Sequence, residues 1–177
     1  MHKIFITTIL CLCSTQVFAA YAASYAYGKG TKGTQAQRFS YQLAWGRDVV
    51  TPNGRSVGGY YELAATFMKN DGYYGYPTTK KLWDGSGAVV IRLMDQPFYP
   101  MYIDLGLGLA YFSQESIATR QMGSHYLFEE RLGVGFLFGK KRQFEIGYRA
   151  THFSNAYLAK KNNGLNMHFL VIGYWFR

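Results

Sequence analysis

Alternation with a period of two constrains this chain more than any other feature. From Met101 to Tyr111 every second position is large and apolar: Met101, Ile103, Leu105, Leu107, Leu109 and Tyr111. Asp104, Gly106 and Gly108 lie between them. Successive side chains of a β-strand point to opposite faces, so this segment has one apolar face and one small or polar face. The pattern recurs in segments near 21–29, 37–46, 57–69, 82–94, 99–112, 124–138, 143–155 and 165–176. In the second, Phe39, Tyr41, Leu43 and Trp45 oppose Ser40, Gln42, Ala44 and Gly46. In the third, Tyr61, Leu63, Ala65 and Phe67 oppose Glu62, Ala64 and Thr66. In the sixth, Phe128, Leu132, Val134, Phe136 and Phe138 oppose Glu129, Arg131, Gly133 and Gly135.

Eight apolar faces are too many for one small soluble core. The segments have the length of tilted membrane strands, ~9–11 residues plus extensions. After the first residues, no run is apolar over the ~18 positions that a spanning helix needs. The expectation is an all-β chain, an eight-stranded antiparallel transmembrane β-barrel. Its other faces carry Glu62, Asp104, Glu129 and Glu145 with Arg92, Arg131 and Arg149. Eight strands leave an interior just wide enough for side chains, so these charges should pair in a filled polar interior rather than line a pore.

Residues 1–19 have the form of a signal peptide: Lys3, the apolar run Ile4–Leu12, and a small-residue cleavage site ending at Ala19. Residues 20–177 would then form the barrel. Both cysteines, Cys11 and Cys13, fall inside the leader. The exported chain would carry no disulfide and no thiolate metal site. A formal charge of +9 on an exported protein points to an anionic lipid surface rather than nucleic acid. The connections also suit an outer-membrane barrel. Turns at 95–98 and 139–142 are short, and linkers at 30–36, 70–81, 113–123 and 156–164 are mostly longer. The connection 47–56 is the exception, being long on the short-turn side.

Chemistry concentrates at the end of the seventh segment. His152 and Ser154 share the parity of Phe144, Ile146, Tyr148 and Ala150, so a base and a hydroxyl sit together on a lipid-facing wall. A serine hydroxyl is a poor nucleophile without a base within hydrogen-bond reach. Asn155, Asn162 and the backbone near Gly164 offer donors for an oxyanion or for substrate positioning. From spacing alone two readings stand: a catalytic pair, or two polar residues at headgroup level. No cluster of ligands suggests a metal, no phosphate loop precedes a helix, and no cofactor is expected. His125 and His168 have no nucleophile of their own.

The stretch His152-Phe153-Ser154-Asn155-Ala156, with Asn162, Gly164 and the last strand to Phe176, resembles the lipid A 3-O-deacylase family of the outer membrane. Phe128-Glu129-Glu130-Arg131 and the Gly58–Tyr61 region are similar too. The resemblance implies a barrel in the outer membrane of a Gram-negative bacterium, with its active site at the outer leaflet. It implies hydrolysis of the ester-linked 3-hydroxyacyl chain at position 3 of lipid A, with Ser154 as nucleophile and His152 as base. The family's acid falls at Asn166, where this chain has an amide. An asparagine orients an imidazole without giving it a charge. Glu130, which the hairpin register sets opposite His152, is the alternative acid. Lys29, Lys32, Lys80, Lys81, Lys160 and Lys161 lie in or beside the outer loops, where lipid A carries phosphates. Two other classes stay open, a non-enzymatic adhesin or structural barrel and a lipid A acyltransferase, and a homodimer is compatible with the sequence.

Overall fold

The computed structural model describes residues 20–46, 48–70, 81–95 and 100–176. Residues 1–19, which hold both cysteines and were expected to form a signal peptide, residue 47, residues 71–80 with Lys80, residues 96–99 and Arg177 lie outside the described residues. Eight long strands form the wall: β1 Tyr21–Gly30, β2 Gln35–Ala44, β3 Arg55–Lys69, β4 Lys81–Asp95, β5 Met101–Phe112, β6 Tyr126–Phe138, β7 Phe144–Ser154 and β8 Leu165–Phe176. Each pairs antiparallel with the next, and β1 pairs with β8. The sheet closes on itself, which satisfies every strand edge where no water can.

The expected strands match these eight to within two residues at each end. β2 starts two residues earlier than its pattern, because Thr31–Gly33 reverses the chain in a single tight turn. Two short ladders carried no alternation to reveal them. Ser116–Ile117 pairs with Arg120–Gln121, and Val49–Val50 pairs with the start of β3. The latter occupies the long connection that departed from the short-turn rule.

Outward positions are mostly apolar. On β6 they are Tyr126, Phe128, Glu130, Leu132, Val134, Phe136 and Phe138, alternating strictly with buried residues. This is the lipid-facing wall, and Glu130 is its one carboxylate on β6. Trp83, Tyr111 and Tyr126 form part of an aromatic girdle at the end where the 113–125 and 155–164 loops lie.

The interior is filled, and its middle is ionic. Glu62 accepts from Arg131 at 2.5 Å and from Arg38 and Arg149 at 3.2 Å each. Arg38 also reaches Glu129 at 2.9 Å and Ser86 at 3.0 Å. Arg92 bridges Asp104 at 2.7 Å and Glu145 at 2.9 Å, and lies 3.8 Å over the Tyr102 ring. Arg38 and Asp84 join the expected charges. Both share the inward parity of their strands, so the signal for them was present.

Apolar clusters close both ends of this layer. Phe112, Phe153, Leu165, Met167 and Phe169 pack at the loop end. Tyr60, Val90, Met94, Leu137 and Trp175 pack at the other. The interior is therefore polar in the middle and apolar towards both ends.

Candidate active site

β7 delivers its last residues under tight control. Phe153 is fully buried and meets Phe112 edge-on, with ring centroids 5.1 Å apart. Asn155 is buried as well. With both neighbours pinned inward, the strand's period of two forces His152 and Ser154 outward. Both are half-buried.

The register places a partner on each side of His152: Glu130 of β6 and Asn166 of β8. The imidazole Nδ1 lies 2.5 Å from Asn166 Oδ1. An amide oxygen only accepts, so Nδ1 carries the hydrogen and Nε2 presents its lone pair. That is the tautomer a general base needs. Asn166 is itself held through its backbone, which exchanges hydrogen bonds with Thr31 Oγ1 at 3.3 and 3.4 Å. No local sequence signal marks Thr31, because it reaches Asn166 across the β8–β1 closure of the barrel. Ser154 makes no hydrogen bond to His152 among the described residues. Catalytic hydrogen bonds are often long in a free enzyme and tighten on substrate.

Asn155 has a different task from oxyanion binding. Its Nδ2 donates to Met122 O and Lys161 O, both at 2.7 Å, and its N–H donates to Asn162 Oδ1 at 3.0 Å. With all three donors committed, Asn155 ties the 155–164 loop to the 113–125 loop and has none left for an oxyanion. Asn162 receives one of these bonds. Arg120 reinforces the tie through Asn163 O at 2.6 Å. Gly164 touches the site directly. It has φ +53°, and a Cβ there would stand 2.9 Å from His152 Cε1. Gly164→Ala therefore combines left-handed strain with a push on the imidazole. Turnover is expected to fall about a hundredfold, the usual scale for a catalytic group displaced by an ångström. Ester hydrolysis by the folded variant measures it.

Two outward rows run across five strands beside the site. Val89, Leu107, Glu130, His152 and Asn166 are successive register partners, and so are Ile91, Leu105, Leu132, Ala150 and His168. Between them lies an open groove of about 690 Å³. The small Ala150 side chain makes the wall dip there. The groove spans roughly 19 Å at ~4.8 Å per strand. It is apolar at the Val89–Ile91 end and polar at the His152–Asn166 end. His168 is not idle in this wall: its Nδ1 lies 2.6 Å from Tyr148 Oη, so two polar groups facing lipid satisfy each other.

The model of the lipid A 3-O-deacylase (PagL) family matches residues 35–175, most of the chain. The chain belongs to this family. The lipid A deacylase PagL of Bordetella bronchiseptica is 32% identical over 132 residues, 75% of this chain and 65% of that protein's length. The lipid A deacylase PagL of Pseudomonas aeruginosa is 28% identical over 168 residues, 93% of each chain. The crystal structure of the outer membrane enzyme PagL superposes with a TM-score of 0.77 over 86% of this chain and 98% of that one. At 24% identity that likeness speaks for the barrel fold. The family match covers His152, Ser154, Asn166, Glu130, Asn155, Asn162 and Gly164, and Thr31 lies before its start.

Proposed function

We propose that this chain is a lipid A 3-O-deacylase that works as a serine esterase at the outer leaflet of the outer membrane. The observation that carries the reading is the oriented imidazole. His152, fixed by Asn166, stands beside Ser154 at the polar end of a lipid-facing acyl groove. An amphiphile reaches such a site by moving within the leaflet, so its acyl chain need not leave the hydrocarbon.

Ser154 Oγ attacks the carbonyl carbon of the ester while His152 Nε2 takes the hydroxyl proton. The carbonyl becomes an oxyanion. The Gly164 backbone, beside the imidazole edge, and the Asn162 amide in the same loop are the donors we assign to it. When the intermediate collapses, His152 returns the proton to the departing sugar oxygen, and the acyl group stays on Ser154. Water, activated by the same imidazole, then releases a 3-hydroxy fatty acid. Asn166 holds the imidazole in its productive tautomer throughout. Lys29, Lys160 and Lys161 are exposed at the loop end, where cationic side chains would meet the phosphates of lipid A.

The packed, charged interior argues against a lipid A acyltransferase, which would hold its acyl chain inside the barrel. Mass spectrometry of lipid A from Gram-negative cells expressing the chain tests the function. One 3-hydroxyacyl residue should be missing from position 3. Lipid A of unchanged mass, with the barrel present and folded in the membrane, would sink the reading.

A further inference from the structure

The groove contains a carboxylate, Glu130, that this reaction leaves unused. Glu130 is exposed on the lipid-facing wall, between Leu107 and His152 in register and between Phe128 and Leu132 along β6. It stands four residues along β6 from Tyr126 of the aromatic girdle, roughly 13 Å along the strand. A carboxylate at that position is unfavourable in a barrel wall, and an ionisable residue kept at such depth usually marks a functional site. Among the described residues, the Glu130 carboxylate makes no hydrogen bond or ion pair.

His152 cannot use Glu130 as a hydrogen-bond partner. An imidazole has two ring nitrogens. Nδ1 is committed to Asn166, and Nε2 has to face Ser154. With Nδ1 on Asn166 and Nε2 reserved for Ser154 on the reading above, Glu130 has no place left on the imidazole, and its carboxylate faces the groove instead.

Its place along the groove points to what it meets. Glu130 is one strand spacing, ~4.8 Å, from His152 towards the apolar end. An acyl chain with its carbonyl at Ser154 and its tail towards Val89 and Ile91 passes Glu130 within its first few carbons. A 3-hydroxyl sits two carbons beyond the carbonyl. An ionised carboxylate only accepts hydrogen bonds, and a free hydroxyl has one hydrogen to donate. We propose that Glu130 is a specificity-determining residue of the acyl groove, accepting the hydrogen bond of a free 3-hydroxyl on the chain to be released. This rests on the serine-esterase reading above. A chain that lacks the hydroxyl leaves the carboxylate unpaired in an apolar groove, and so does one whose hydroxyl is itself acylated. Sites that expect a substrate hydroxyl reject analogues without it for this reason.

The test uses the full barrel refolded in detergent micelles and two matched esters of glucosamine, 3-hydroxytetradecanoyl and tetradecanoyl. The wild type should favour the hydroxylated ester in kcat/KM by about 10- to 100-fold, the range of a charge-assisted hydrogen bond. Glu130→Leu suits the wall and should fold, and its preference should drop to about threefold or less. Glu130→Gln keeps an acceptor oxygen and should retain part of it. A preference unchanged in Glu130→Leu overturns the proposal. So does an equal loss on both esters, which would mean that Glu130 acts on His152 or on the fold. Ser154→Ala, run in parallel, separates the two readings. If it still hydrolysed both esters, the serine mechanism would fall, whatever Glu130 does to the ratio.

Discussion

Replacing Ser154 with alanine is expected to give a folded, membrane-inserted barrel that leaves lipid A at full mass. The substitution removes one oxygen from a half-buried position on the outer wall and touches neither the Phe112–Phe153 contact nor the Asn155 clip. Stability should therefore change little. Turnover should fall by about 10³ or more, the usual effect of losing the nucleophile of a triad, which corresponds to roughly 4 kcal/mol of transition-state stabilisation. On the proposed mechanism His152→Ala should fall as far, because the two side chains would act as a unit and their losses would not add. Lipid A mass spectrometry, with gel mobility of unheated samples as the folding control, reads both. Deacylation at the wild-type level by a correctly inserted Ser154→Ala barrel would remove Ser154 from the mechanism.

The largest stability effect is expected inside the barrel, at Glu62. Its carboxylate is fully buried and takes hydrogen bonds from Arg38, Arg131, Arg149 and Gln42. Glu62→Gln preserves the shape and deletes the charge. Three guanidinium groups then share the negative charge left on Glu129. Removing one partner of a buried ionic network costs about 3–5 kcal/mol, because the remaining charges stay desolvated. The urea midpoint of the refolded barrel should drop accordingly. A control on the outer wall, Leu107→Ala, should move it far less in detergent. Equal midpoints for Glu62→Gln and wild type would show that the arginines find other partners.

Glu62 also illustrates what one sequence can and cannot disclose. Its inward direction follows from the alternation around it, and the same argument places Asp104, Glu129, Glu145, Arg92, Arg131 and Arg149 inside. It would have placed Arg38 and Asp84 there too. Which acid meets which base does not follow, because Arg38 and Glu129 are far apart in the chain and meet only when the sheet closes. The long side chains of arginine reach across the lumen to several acids, so parity alone does not choose among them.

The site divides in the same way. The outward pairing of His152 and Ser154 was legible because a β-strand has a period of two, and the turn between β6 and β7 set Glu130 opposite His152 by simple counting. The local sequence gave no hint that Asn155 uses every donor to fasten two loops. Its partners, Met122 and Lys161, contribute backbone carbonyls, which every residue has. The bond from His152 to Asn166 needed the register of β7 on β8 across the 155–164 loop, and the support of Asn166 by Thr31 needed the closure of β8 on β1. The groove beside His152 is the clearest tertiary product. Its two rows draw one residue each from five strands, and only the stagger of a closed barrel brings those rows into line. Periodicity is a property of one strand and is written in one segment. Register between strands and closure of the sheet depend on all segments at once, so the tertiary structure decided them.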